Sequence, residues 1–126
     1  MDINKYSKFI DHSPLKMDAS ESEIIRFCNE AIEHSFHSMV VFPYYIELAK
    51  KIIKNSDVKL DTVVGFPFGN EIISIKSQQA RTYLGMGADE IFFGYRRQKA
   101  TLLTLKFNKL PRLIKYFIVS FLLYCN

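Results

Sequence analysis

The sequence predicts an α/β fold built on a parallel sheet. Short apolar runs alternate with stretches of helical periodicity in the order βαβαβαβ. Strands separated by single helices lie parallel and are joined by right-handed crossovers, in either an open doubly wound sheet or a barrel. No Gly-x-Gly-x-x-Gly motif follows the first strand, which removes the main sequence argument for a dinucleotide-binding sheet. At 126 residues and 48% hydrophobic content, the chain is long enough for one domain with a buried core.

The first half of the pattern contains two strands and a helix. Residues 9–11 are predicted as a short first strand. Ser20 and Glu23 have the capping-box spacing of a helix start, and an apolar face follows at helical period. Residues 38–42 form an apolar run that is too short for a helix and ends at Pro43, which predicts a buried strand.

The second half continues the alternation. Residues 45–53 predict an amphipathic helix, 59–64 a third strand, and the glycines and proline of 65–70 a loop. Residues 71–84 predict a third helix that two glycines close, before a fourth strand at 90–93. The apolar face of the third helix is assigned to Ile73, Ala80 and Leu84.

Composition excludes several classes of protein. The first nine residues include charged side chains and no apolar stretch, so we expect no secretory signal and a cytoplasmic protein. Two cysteines far apart fit neither a disulfide framework nor a metal site, and His34 and His37 have no third ligand nearby, so no metal is expected. The net charge of +4 arises after Glu90, where seven basic and no acidic residues follow. A nucleic-acid-binding arm is not indicated, because this basic segment is too apolar.

Four segments resemble deoxyribose-phosphate aldolases, in the same order along the chain. They are Phe9-Ile-Asp-His-Ser-Pro-Leu-Lys16, Ser38-Met-Val-Val-Phe-Pro-Tyr44, Thr62-Val-Val-Gly-Phe-Pro-Phe-Gly69 and Gly87-Ala-Asp-Glu-Ile91. The resemblance implies a (β/α)8 TIM barrel, of which about the first four βα units, a half-barrel, are present; a whole barrel takes about 250 residues. We therefore divide the chain into residues 1–91, the N-terminal half of the barrel, and a non-homologous tail at 92–126 of uncertain structure.

The resemblance also implies a reaction. It is the reversible cleavage of 2-deoxy-D-ribose 5-phosphate, a phosphorylated sugar, to D-glyceraldehyde 3-phosphate and acetaldehyde through a lysine Schiff base, in deoxyribonucleotide catabolism and without metal or cofactor. In the family, the Schiff-base lysine and its partner lysine come from strands 6 to 8, beyond the matched residues. The family's strand-4 catalytic aspartate falls at Phe92, and a gapped alignment through Phe93 loses the carboxylate as well. We therefore expect a truncated chain without aldolase activity of its own.

Asp11 is the matched residue that the resemblance places in the active-site mouth, at the top of strand 1. The alternative is a cap at the barrel rim. His12 is expected to be a hydrogen-bonded rim histidine rather than an acid or base. Lys16 lies among polar loop residues and Lys59 at the wrong end of a strand, so neither is expected to form the Schiff base. Lys115 lies in a Leu-Ile-Lys triplet that matches the family's Schiff-base strand by coincidence.

The tail has three interpretations. A frameshift in an A/T-rich gene is the leading one, because the tail is rich in Leu, Phe, Ile, Lys, Tyr and Asn. Alternatively, residues 116–125 form a membrane-surface or interaction helix, since they are too few to span a bilayer. The third is a basic arm for nucleic acid, and the apolar content of the tail argues against it. A half-barrel would expose two strand edges, so a non-enzymatic remnant that self-associates is the competing class.

Overall fold

The computed structural model describes residues 6–94 and contains four strands and three α-helices in strict alternation. The predicted order βαβαβαβ is confirmed. In chain order the elements are β1 (Asp11–His12), α1 (Glu21–Glu33), β2 (Ser38–Val41), α2 (Ile46–Ile53), β3 (Lys59–Val64), α3 (Ile73–Met86) and β4 (Glu90–Phe93). Single turns of 3-10 helix at Ser7–Phe9 and Pro43–Tyr45 precede β1 and α2.

The strands form one parallel sheet in the order β1-β2-β3-β4. Side chains of alternate strand residues, such as Met39, Leu60 and Ile91, pack against the helices. All three helices contribute to cores on this one face, whereas an open doubly wound sheet carries helices on both faces. The arrangement is therefore that of a half-barrel, with an outer face that meets the helices and an inner face that does not.

The local sequence explains why α1 begins and ends where it does. The Ser20 hydroxyl accepts from the Glu23 backbone N–H, and the Glu23 carboxylate accepts from the Ser20 N–H, as the capping-box spacing predicts. Ile24, Cys28 and Ala31 are buried at helical spacing and join the outer core. Burial raises the pKa of the Cys28 thiol to about 11, so this residue is an inert part of the core.

Two predicted elements were wrong in part. The first strand was expected at 9–11, but Phe9 is 80% exposed in a 3-10 turn closed by its N–H and the Tyr6 carbonyl, and β1 begins only at Asp11. In α3, Ile73 was assigned to the apolar face but is 44% exposed, and the buried residues are Lys76 and Ala80. Lys76 is buried because its stem packs on Gly65 and its ammonium donates to the Gly69 carbonyl.

Most of the predicted tail lies outside the described residues, and the division at residue 91 stays a prediction. The same holds for its frameshift origin, for the membrane-surface helix and for the role of Lys115. Within residues 6–94, none of the helices is both long and apolar enough to cross a membrane.

Candidate active site

The inner face of the half-barrel carries an unusual share of polar side chains. Because strand side chains alternate between faces, the residues between those that pack on the helices point inward. They comprise Asp11 of β1, Ser38 and Val40 of β2, Lys59, Asp61 and Val63 of β3, and Glu90 and Phe92 of β4. In a barrel, inward-facing side chains fill the interior, and the active site lies where this interior opens at the carboxyl ends of the strands.

Asp11 lies on this face and is held by its neighbour. It pairs with Ser38 in the parallel register, and the Ser38 hydroxyl donates to Asp11 Oδ1 at 2.8 Å. The Ser13 hydroxyl donates to the Asp11 main-chain oxygen at 3.0 Å, which fixes the backbone directly after β1. Asp11 is only partly buried, so its second carboxylate oxygen has room for a further donor. Its predicted role in the mouth is not tested by this geometry and stays a prediction.

Asp61 is a second inner-face carboxylate, and the sequence analysis missed it. It is fully buried, and within residues 6–94 neither of its oxygens has a hydrogen-bond partner. Burial raises the pKa of Asp61 to about 7; the nearby Ser38 hydroxyl partly opposes this rise, but that hydroxyl makes its hydrogen bond to Asp11. The carboxylates of Glu90 and Asp11 raise the pKa further. Asp61 therefore changes its protonation near neutral pH inside the half-barrel.

Lys59 is the first residue of β3 and pairs in the register with Ser38 of β2. Its ammonium donates to Glu90 Oε1, and His37 Nε2 lies 3.9 Å from the same oxygen. The hydrogen bond to Glu90 raises the pKa of Lys59, despite an opposing effect of burial. A protonated lysine cannot attack a carbonyl, so the prediction that Lys59 does not serve as the Schiff-base residue agrees with this geometry.

His12 and Lys16 have ordinary structural surroundings. His12 points to the helix side, where Nε2 lies 2.9 Å from Glu30 Oε2 and the ring stacks on Phe27 at 4.5 Å. The prediction of a hydrogen-bonded histidine is confirmed. Lys16 is exposed, with its ammonium 3.7 Å from Glu23 Oε1. Among residues 6–94, no three His, Cys, Asp or Glu side chains are grouped closely enough to bind a metal ion.

Phe92 occupies the inner-face position that follows Ile91 on β4. It pairs with Val63 of β3 in the register, so a phenyl ring stands at this level of the sheet. A phenyl ring cannot transfer a proton. Among the described inner-face carboxylates, Glu90 accepts a hydrogen bond from Lys59, whereas Asp11 and Asp61 do not.

The loop between β3 and α3 forms a tight, glycine-supported turn at the carboxyl end of the sheet. Gly65 and Gly69 both adopt positive φ, 61° and 62°, and the Gly69 N–H donates to the Gly65 carbonyl at 2.6 Å. Lys76, 7% exposed, donates from Nζ to the Gly69 carbonyl at 3.0 Å. The glycines and proline predicted the loop, but Lys76 was not among the residues assigned to the buried face of the third helix.

Curated relatives and solved structures match this chain. It is 50% identical over 91 residues to a deoxyribose-phosphate aldolase of Mycoplasmoides gallisepticum and 45% identical over 91 residues to that of Treponema denticola, in each case 72% of this chain and 41% of the relative. The matches lie in the N-terminal part of the chain, where the four motifs were found. No family model matches. The chain thus spans about two fifths of the length of these relatives.

The solved structures agree with the half-barrel. The deoxyribose phosphate aldolase of Aeropyrum pernix superposes with a TM-score of 0.67 at 28% identity, covering 72% of this chain and 39% of that one. The aldolase QR15 superposes with a TM-score of 0.67 at 31% identity, covering 85% of this chain and 46% of that one. Both the resemblance and the fold class predicted from the sequence are confirmed by these matches.

Proposed function

We propose that this chain, whose N-terminal 72% is related in sequence to deoxyribose-phosphate aldolases, provides the first half of an aldolase barrel for a phosphorylated deoxysugar. In this proposal Asp11 lies in the mouth of the complete site and takes part in proton transfer. The observation that carries the proposal is the Asp11 carboxylate on the inner face, oriented by the Ser38 hydroxyl at 2.8 Å. A held carboxylate with a second oxygen open to a donor is suited to moving a proton.

The described lysines do not supply the nucleophile that Schiff-base chemistry needs. Such a lysine must lose its proton near neutral pH, which requires an apolar site or a neighbouring cation. Lys59 is bound to a carboxylate, Lys76 is bound to a carbonyl oxygen beneath a loop, and Lys16 is exposed. The remaining described lysines, Lys8, Lys50, Lys51 and Lys54, are exposed as well. We infer that the 126-residue chain alone does not cleave the substrate.

Reduction with borohydride in the presence of 2-deoxy-D-ribose 5-phosphate tests this inference. We expect no covalent adduct on the purified chain by intact-mass spectrometry, because none of the described lysines is placed to form an imine. The full-length Mycoplasmoides gallisepticum relative is the positive control and is expected to be trapped. An adduct mapped to any lysine of this chain would contradict the inference, and one at Lys115 would also overturn its assignment as a coincidental match.

A second candidate function is that of a non-enzymatic, self-associating half-barrel. β1 and β4 are the outer strands of the described sheet, and each has a described strand on one side only. Outer strands of this kind pair readily with another chain. We expect sedimentation to give a mass that rises with concentration above the 14.7 kDa of one chain. A monomer that sediments unchanged at all concentrations and unfolds cooperatively would rule this candidate out.

A further inference from the structure

The loop between β3 and α3 contacts a buried lysine, Lys76, which donates to the Gly69 carbonyl. We propose that Lys76 is a positioning residue: its ammonium fixes the Gly65–Gly69 turn and so sets the shape of the mouth at the carboxyl ends of β2, β3 and β4. The proposal rests on the proposed function only in assigning this mouth to a substrate. The hydrogen bond itself is independent of any activity.

The contacts around the turn are close on three sides. A Cβ atom on Gly65 would lie 3.2 Å from Lys76 Cδ and 3.2 Å from Glu71 Oε2, so the lysine stem packs directly on this glycine. A Cβ atom on Gly94, directly after β4, would lie 2.0 Å from the Gly65 carbonyl oxygen. The turn is therefore confined between the lysine stem and the end of β4, and Lys76 donates to it from a buried ammonium group.

Helix stability does not explain a buried lysine at this position. Lys76 is the fourth residue of α3, where a positive charge meets the positive end of the helix dipole. Burial of an ammonium group is costly unless a polar partner compensates for the lost water. The partner here is the Gly69 carbonyl, so Lys76 stabilises the turn and not the helix.

The Gly65–Gly69 turn also places aromatic side chains at the mouth. The Phe66 ring meets the Phe42 ring edge-on at 6.2 Å, which links the end of β3 to the end of β2. Phe68 lies within the turn and is 75% exposed. A change in the Gly69 carbonyl position would move both rings relative to the inner face.

Hydrogen exchange in the full 126-residue chain tests the proposal. In Lys76→Met, which keeps the stem and removes the charge, the Gly69 amide is expected to exchange about 10 to 100 times faster, the range for loss of a hydrogen bond to a charged group. Core amides of β3 should keep their protection. Lys50→Met is the matched control, since Lys50 also donates to a main-chain carbonyl, that of Met86, but is exposed. It should leave Gly69 unchanged.

Two results would overturn the proposal. Unchanged exchange at Gly69 would mean that the ammonium does not hold the turn. Equal acceleration at Gly69 and in β3 would mean that Lys76 only stabilises the whole fold. If Lys76→Met does not fold, Lys76→Leu, which also lacks a donor, is measured instead, and the same comparison of Gly69 with β3 decides. A trapped adduct in the borohydride experiment would contradict only the proposed function, because the hydrogen-exchange experiment requires no substrate.

Discussion

Asp61→Asn is expected to raise the free energy of unfolding by about 4 kcal/mol at pH 8. The buried carboxylate has no hydrogen-bond partner in residues 6–94, and burial raises its pKa to about 7 from an ordinary value of 3.8. A difference of about three pH units corresponds to about 4 kcal/mol at 1.36 kcal/mol per unit. Asparagine keeps the shape and removes the charge, so only the cost of ionisation is relieved.

The gain depends on pH in a defined direction. Below about pH 4, Asp61 is protonated in both folded and unfolded chains, so it imposes no cost. Between pH 4 and 7 the unfolded chain loses the proton while the folded chain retains it, and wild-type stability falls as pH rises. Above pH 7 the folded carboxylate is ionised as well, and the full cost remains. The difference between Asp61→Asn and wild type should therefore grow across this window and then level off.

Urea denaturation at several pH values measures this difference. Asp57→Asn is the matched control, because Asp57 is exposed in the turn before β3, and its effect should be small at every pH. A difference for Asp61→Asn that stays constant from pH 4 to 8 would show that the carboxylate has a partner when ionised. A buried carboxylate that lowers the stability of the fold is typical of a functional site. Asp61 is therefore a candidate site residue of the inner face, together with Asp11.

The sequence predicted the regular elements well because their signals are local. The bounds of β3 and β4 were predicted to the residue, since both are short segments that lie between turn signals. The capping box at Ser20 was also predicted, because a helix start depends on side chains three residues apart. β1 was misplaced because Phe9 and Ile10 are apolar but exposed, and composition alone cannot tell where an apolar pair lies.

The site was predicted less completely because its signals are tertiary. The resemblance assigned Asp11 to the mouth and placed Phe92 where the family has a carboxylate, and both assignments stay predictions. Asp61 and Lys76 were missed, since a charged residue in a strand or helix pattern is read as exposed. Asp61 is buried within a four-stranded sheet and Lys76 against the β3–α3 loop, and both depend on contacts between segments that the spacing of residues does not specify.

The largest loss of stability is expected from Ile24→Ala. Ile24 is 1% exposed on α1 and packs in the outer core that joins α1 and α2 to the sheet. Removing its side chain leaves a cavity and should lower the free energy of unfolding by about 2 to 5 kcal/mol. Since small domains are stable by only about 5 to 15 kcal/mol, this is a large part of the total.

The neighbouring residue provides a matched control within the same helix. Ile25 is 40% exposed, so Ile25→Ala removes the same atoms from a site where water already has access. Its effect should be well below that of Ile24→Ala, and the gain in helix propensity of alanine partly offsets it. Thermal and urea unfolding of both variants give the comparison. Equal losses would mean that the outer core does not hold α1 on the sheet, and that the half-barrel owes its stability to some other part of the chain.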